Sequence, residues 1–496
     1  MSVLALDAGT TGVTALAVEQ DGQVSARGYC EFPQHYPRPG WVEHDPDEIW
    51  QAMLAATSGA LAGARTPPVA LGIANQRETA VLWRREDLTA PRRAVVWQDR
   101  RSTALCESLR LAGHEPAVTA RTGLRLDPYF TGTTLRWLAE NDPAIWDGVR
   151  SGETAIGTVD AYLIARLTGG ARHVTDPSNA SRTLLYDIHH DSWNDSLCDL
   201  FGTPRAALPE VVDSSGVCGY TAPEAFGGLS LPIAGIAGDQ QAALFGQACF
   251  DAGQSKCTYG TGSFLLVNTG RTAQTSGRGL LTTIAWRCGG VTTYAMEGSV
   301  FVTGAAVQWL RDGLGVIPTA DAVEALATSV PDSGGVVFVP ALTGLGAPEW
   351  DPDARGAVFG LTRGSTAAHL ARATLEAIAY EVRDVVDVLP VPVHELTVDG
   401  AAAANDLLCA LQADQLAVPV RRPRILDTTA LGAAFLAGLA VGVWADLDSL
   451  RATWLLDREF IPAPGRRDDG GHARWRDAVR RSRGWATPDR PGLPGA

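Results

Sequence analysis

One short hairpin, met twice, constrains this chain more than any other feature. Residues 3–6 are apolar, Asp7-Ala8-Gly9-Thr10-Thr11-Gly12 has the composition of a tight turn, and residues 13–18 are apolar again. Asp21-Gly22 then supplies a second turn, the pattern of a β-meander. In the second half Thr258-Tyr259-Gly260-Thr261-Gly262-Ser263 precedes the hydrophobic run Phe264-Leu265-Leu266-Val267-Asn268. Glycines in such turns accept positive φ and let backbone N–H groups close on a phosphate. A plain hairpin with polar turn residues has the same wording, so either turn alone is ambiguous. Two of them at matching places point to two homologous domains facing each other, with a Gly/Thr loop on each wall of a cleft. The boundary is expected near residue 245, giving domains 1–245 and 246–496, with the tail after about 487 loose.

Between these landmarks short apolar strands alternate with helical patterns. Leu71-Gly72-Ile73-Ala74 and Leu396-Thr397-Val398 read as strands. Leu370, Thr374, Ala377, Ile378, Val385 and Leu389 recur at helical spacing in a segment starting near Ala367. A helix-like run follows Asp399-Gly400 from Ala401, and Trp475, Ala478, Val479 and Ser482 fit one short helix. This alternation indicates an α/β fold. At 496 residues the chain is long enough for two large cores.

Charge and cysteine usage narrow the function. The formal net charge is −14, against the basic face of a nucleic-acid binder. A phosphate site here must rest on local backbone dipoles and a metal ion. The eight cysteines are scattered without a Cys-x-x-Cys pair, as expected for reduced thiols in a cytoplasm. The chain enters a strand-like run directly after Met1-Ser2, without the pattern of a secretory signal, and no apolar run is long enough to span a bilayer. Lys256 is the only lysine, and arginine supplies the other basic side chains. Codon bias accounts for that without a functional role.

Five further features could carry chemistry. Asp7, at a strand end, could hold a metal through water. Asp239, in Gly238-Asp239-Gln240-Gln241 before an apolar helix, has the position of a general base for a hydroxyl. On spacing alone, however, a helix N-cap is the better reading. Asn75-Gln76-Arg77-Glu78-Thr79 offers an Arg-Glu pair for neighbouring hydroxyls, although surface ion pairs are commoner. Trp97 and Tyr129 suit the carbon face of a polyol, or simply a core. Val398-Asp399-Gly400-Ala401-Ala402-Ala403-Ala404-Asn405 could hold a nucleotide against a helix N-terminus, or merely bring helix and sheet together.

The order and wording of these segments resemble the FGGY carbohydrate kinases over nearly the whole chain. The resemblance is carried by Pro39-Gly40-Trp41-Val42-Glu43-His44-Asp45-Pro46, by the segment 75–79, and by residues 238–247. Thr343-Gly344-Leu345-Gly346-Ala347-Pro348 and residues 355–364 extend it, the latter opening a segment that ends Thr374-Leu375-Glu376 and is similar to a family signature. The resemblance implies two ribonuclease-H-like, actin-type ATPase domains with the active site in the cleft between them. It also implies ATP and Mg²⁺ as cofactors, glycerol as the acceptor, and a homo-oligomer (dimer or tetramer). By matching motifs, Arg77, Glu78, Tyr129, Asp239 and Gln240 would bind glycerol, with Trp97 and Phe264 on its carbon side. Asp239 becomes the catalytic base, against the N-cap preference above. Thr10, Thr11, Gly12 and Thr261 would contact the phosphates; Gly304, Gln308, Ala401 and Asn405 would hold the rest of the nucleotide; Asp7 would help to hold Mg²⁺.

The chain departs from the family pattern at Ala8, Thr14, Thr134 and Ala401, where relatives carry Gln, Arg, Lys and Gly. These changes bear on nucleotide affinity and turnover more than on polyol recognition, since the polyol positions all match. Gly227-Gly228-Leu229-Ser230 lacks the Arg of relatives that bind a sugar bisphosphate there. The alternatives are a family kinase acting on another small polyol or ketose, and a non-catalytic homologue. Large side chains at Trp97, Tyr129 and Phe264 favour a three-carbon acceptor.

Overall fold

Thirteen strands form one continuous mixed sheet in the computed structural model, which describes residues 1–465, 467 and 469–486. In chain order they are β1 (Ser2–Ala8), β2 (Gly12–Glu19), β3 (Val24–Glu31), β4 (Pro68–Asn75), β5 (Ser215–Tyr220), β6 (Pro232–Gly238), β7 (Ser255–Tyr259), β8 (Ser263–Gly270), β9 (Leu281–Cys288), β10 (Val291–Val300), β11 (Leu396–Asp399), β12 (Val420–Pro423) and β13 (Leu456–Phe460). Their order across the sheet is β13-β12-β11-β7-β8-β10-β9-β5-β6-β4-β1-β2-β3.

The sheet contains the same unit twice. β1, β2 and β3 form an antiparallel meander, β4 lies parallel to β1, and β6 lies parallel to β4. β7, β8 and β10 form the second antiparallel set, with β10 reached in the chain through β9, and with β11 parallel to β7 and β12 parallel to β11. The weak repeat in the sequence is therefore a real repeat of topology. The hairpin turns leave the first meander strand at corresponding places in each unit. β5, β9 and β13 are antiparallel additions, and β5 and β9 touch at the single bridge Ser215–Cys288.

Local chemistry sets the helices. Helix α1 (Pro46–Gly63) starts at Asp45, whose side chain accepts from Asp47 N, with Pro46 inside the first turn. Helices α2 (Thr131–Asn141), α3 (Asp239–Gly246), α4 (Ala367–Asp387), α5 (Asp406–Leu416), α6 (Thr428–Ala440) and α7 (Asp469–Ser482) follow. A capping box of Thr366 and His369 begins α4. Trp475, Ala478, Val479 and Ser482 are the buried side of α7. The helix-like run from Ala401 is a 3₁₀ turn, Ala401–Ala404, and the α-helix begins only at Asp406. The tail after about 487 lies outside the described residues. No helix among the described residues is long and apolar enough to cross a membrane.

Each unit lends a helix to the other. α3, which follows β6, packs on β7 and β8, while α6, which follows β12, packs on β1, β4 and β6. The two cross at Gly246 and Gly432, and a Cβ on Gly432 would lie 1.8 Å from Ala242 O. The crossing therefore forbids any side chain there. Gly432→Ala should lower unfolding stability by roughly 1–3 kcal/mol, the cost of an overpacked contact. Gly364→Ala, where the nearest atom is 3.8 Å away, should change little. Denaturant midpoints check both, and equal midpoints would refute the crossing as described.

Candidate active site

The site is built where the two hairpins meet the ends of β1, β4, β6 and β7. Gly9 N donates to Gly12 O at 3.0 Å and closes the first turn. Three donors then draw the turn's carbonyls inward. Gln76 N donates to Ala8 O, Gln76 Nε2 to Gly9 O and Gln34 Nε2 to Thr10 O. His44 sits between the two glutamines, with Nε2 2.6 Å from Gln34 Oε1 and Nδ1 3.3 Å from Gln76 Nε2. Burial drives His44 down to about 3, so the ring is neutral at ordinary pH. A neutral ring donates to one glutamine and accepts from the other, as this chain of contacts requires. The N–H groups of Thr10 and Thr11 donate to no group among the described residues.

The second hairpin repeats the device. Gly260 N donates to Gly262 O at 2.9 Å, Gly304 N to Gly260 O, and Thr303 N and Ala305 N to Thr261 O. The N–H groups of Thr261 and Gly262 are again uncommitted among the described residues. Gly304 is required by the close approach, since its Cβ would lie 2.7 Å from Gly260 O. Gln308 is exposed at the end of the short helix Gly304–Gln308. Ala401 is exposed on the 3₁₀ turn, and Asn405 Oδ1 caps α5 by accepting from Leu408 N. No hydrogen bond or ion pair ties Gln308, Ala401 or Asn405 to the hairpins among the described residues.

Beneath the cleft lies a buried ionic floor. Arg77 and Glu78 follow β4, but they do not form the commoner surface pair: both are buried, and Arg77 Nε stands 3.9 Å from Glu78 Oε1. Arg77 instead clasps Glu297 of β10 through Nη1 at 2.5 Å and Nη2 at 3.2 Å. It also donates to Tyr129 OH at 3.2 Å and to Gln241 Oε1 at 3.3 Å. Arg182 donates to Glu78 Oε1 at 2.7 Å and to Glu297 Oε1 at 2.9 Å. Burial alone would raise Glu297, but Arg182 and Arg77 hold it down at about 2. Burial pushes Glu78 up to about 7 against the pull of the same two arginines. Glu78 itself takes φ +63°, a strained conformation for a residue with a side chain. Arg182 and Glu297 carry as much of this floor as the residues named from sequence. A glutamate inside the apolar strand Ala295-Met296-Glu297-Gly298 was a readable signal; Arg182 had none locally.

Asp239 is the first residue of α3, with Gly238 at the N-cap position. The N-cap reading is thus incorrect: the carboxylate makes an ion pair with Arg77 Nε at 3.0 Å, and its side chain is 26% exposed. Its Oδ1 accepts from Gln240 N, which belongs to the adjacent residue. Burial raises Asp239, while Arg77 and Lys256 pull it back. Trp97 packs edge-on to Tyr129 at 5.5 Å and to Phe264 at 6.2 Å, and its Nε1 donates to Thr10 Oγ1 at 2.9 Å. The aromatic wall and the first phosphate hairpin are therefore bonded to each other. Two buried polar atoms here lack partners: Arg182 Nη1, a donor, and Asp7 Oδ1, an acceptor. Orphaned groups of this kind are rare in folded proteins and mark places for ligand atoms.

The family models for the N-terminal and C-terminal domains of the FGGY family of carbohydrate kinases match residues 2–246 and 255–441. The chain belongs to that family. A protein of Aromatoleum aromaticum named glycerol kinase is 56% identical over 97% of this chain and 99% of its own length. One of Dechloromonas aromatica with the same name is 54% identical over 98% of each. The crystal structure of Plasmodium falciparum glycerol kinase with ADP superposes with a TM-score of 0.88, at 32% identity, over 97% of this chain and 98% of that one. The two ribonuclease-H-like units expected from sequence are thereby the fold of an FGGY kinase.

Asp7 fits a cation site. Burial, with Asp239 and Asp427 nearby, raises it to about 8, and its Oδ1 has no partner. Among the described residues no group of three or more His, Cys, Asp or Glu could hold a metal by itself. A hard cation here would take Asp7 plus oxygens of water and phosphate, as Mg²⁺ does. The raised proton affinity gives a test. Folded Asp7 holds a proton up to about pH 8, whereas an unfolded one ionises near 3.8. The folded state thus binds more protons across that window, and this group's effect is to make stability fall as pH rises. Asp7→Asn should therefore melt above the wild type at pH 8, with the gap closing near pH 4. A gap that does not change with pH would rule out the buried proton.

Proposed function

We infer that the chain transfers the γ-phosphate of ATP to a hydroxyl of glycerol, giving sn-glycerol 3-phosphate and ADP. The observation that carries this reading is the arrangement of polar groups around Asp239. A partly exposed carboxylate is ion-paired to the buried Arg77 guanidinium, walled by three aromatic rings and opposite two hairpins with free N–H groups. Such a pocket suits a small acceptor with vicinal hydroxyls and an apolar carbon face. The full-length relatives named glycerol kinase support the same acceptor.

Asp239 takes the proton of the attacking hydroxyl. Arg77 Nε–H and the Tyr129 hydroxyl orient the acceptor, Glu78 receives a hydroxyl hydrogen, and Gln240 stands beside them. Trp97 and Phe264 cover the carbon chain and exclude water, so that glycerol rather than water receives the phosphoryl group. Thr10, Thr11, Gly12 and Thr261 cradle the phosphates through backbone N–H and hydroxyl groups, and Gly304, Gln308, Ala401 and Asn405 line the side of the nucleoside. Mg²⁺, held by Asp7 with water, would neutralise charge on the phosphates. The departures at Thr14 and Thr134 lie buried in β2 and α2 and leave the acceptor pocket intact. Eight free thiols suit a cytoplasmic enzyme.

The test is ADP release with Mg-ATP and a panel of glycerol, dihydroxyacetone, erythritol, ribitol, xylulose and ribulose. Rapid turnover with glycerol is the expected result; turnover only with a larger acceptor would replace the substrate. Asp239→Asn should lower kcat about 10²–10⁴-fold, the usual worth of a general base, while glycerol still binds. Near-normal turnover in that variant would exclude Asp239 as the base.

A further inference from the structure

Lys256 is the single lysine among 41 lysines and arginines. Composition alone made it look like a remnant of codon bias, yet it is wholly buried under the acceptor pocket. It lies on β7 two residues before Thr258, so the two side chains share a face. Its Nζ donates to Gln240 Oε1 at 2.5 Å and to Thr258 Oγ1 at 2.7 Å. An ammonium has three donors and no acceptor, so the Gln240 atom that faces it has to be the carbonyl oxygen. The amide NH₂ is thereby turned away, and it donates to no group among the described residues. Gln240 follows Asp239 directly in the first turn of α3.

We propose that Lys256 is a positioning residue for acceptor recognition: by holding Gln240 Oε1 it presents Gln240 Nε2 as a hydrogen-bond donor to an acceptor hydroxyl beside Asp239. Without it the amide can turn over and offer an oxygen where a donor is needed. Arginine is a poor substitute, because its planar fork needs more room than a compact ammonium. Burial disfavours the charge on Lys256, and Asp399 and Asp239 offset that cost. The inference rests on glycerol being the acceptor.

A single lysine makes the test direct. Wild-type protein labelled with isotopic lysine gives one side-chain NMR signal, and saturating glycerol should shift it; an unmoved signal would overturn the proposal. In kinetics, Lys256→Met should raise the glycerol KM about tenfold, the worth of one hydrogen bond, with a smaller fall in kcat from the lost pull on Asp239 and the ATP KM nearly unchanged. The same change made on Gln240→Ala should raise the glycerol KM no further, because both remove one interaction. An equal rise in both backgrounds, or a loss confined to kcat, would sink the proposal. If Lys256→Met does not fold, the NMR response of the wild type decides. Absent glycerol turnover in the wild type would instead strike the assignment of the acceptor.

Discussion

A guanidinium that cannot lose its charge is buried at the seam between the two halves of this protein, and its partners define the seam. Arg77 comes from the end of β4, whereas Glu297, which clasps it with both oxygens, comes from β10. Removing one partner of a buried ion pair leaves an uncompensated charge and typically costs about 3–5 kcal/mol. The floor of the cleft is therefore among the least adjustable parts of the structure. Arg182 doubles the constraint, since it binds Glu297 and Glu78 at once. Glu78 is held in a left-handed conformation by what surrounds it, including the Thr131 hydroxyl that donates to its carbonyl. Strain of this sort persists only where the surroundings over-determine it.

The phosphate side of the cleft is organised on the opposite principle. There the protein spends neutral groups, Gln34, His44 and Gln76, to turn carbonyls away and leave N–H groups facing out. A chain with a net charge of −14 repels a polyphosphate at long range, so short-range backbone dipoles have to do the holding. This also gives a purpose to the segment 39–46. His44 braces the two glutamines that bond the first hairpin, Asp45 caps α1, and Glu43 pairs with Val95 in a short ladder two residues before Trp97. Trp97 then bonds Thr10. One motif thus aligns the phosphate hairpin and the aromatic wall together.

What the sequence made legible follows the range of the interactions. The two hairpins, the strands at 71–74 and 396–398 and the long helix α4 are written in local patterns, and these were readable from their own residues. Without the family resemblance, Arg77, Glu78 and Asp239 read only as ambiguous pairs and caps, because what decides their role is burial and contact with distant residues. Glu297 stands 220 residues from Arg77, and Arg182 stands 104 from Glu78. No local rule reports such pairs. The N-cap reading of Asp239 failed for a related reason: the helix starts one residue earlier than the rule assumed, so the carboxylate was free to meet Arg77. Lys256 shows the converse, a residue whose rarity was visible and whose reason lay wholly in the fold.

The placement of Asp239 ties the chemistry to the architecture. A general base must be held within about 0.5 Å of its working position to be effective. Asp239 begins α3, and the far end of α3 is where α6 crosses with no room for a side chain. α3 rests on the strands of the second unit, while α6 rests on those of the first. Asp239, the proposed base, is thus mounted on a helix that packs against strands of both units. Any change in how the units sit against each other moves Asp239 relative to Arg77 and to the second hairpin together. Backbone packed against backbone at Gly246 and Gly432 leaves little slack to absorb such a change, so the geometry of the Asp239 carboxylate is set by the crossing as much as by the pocket around it.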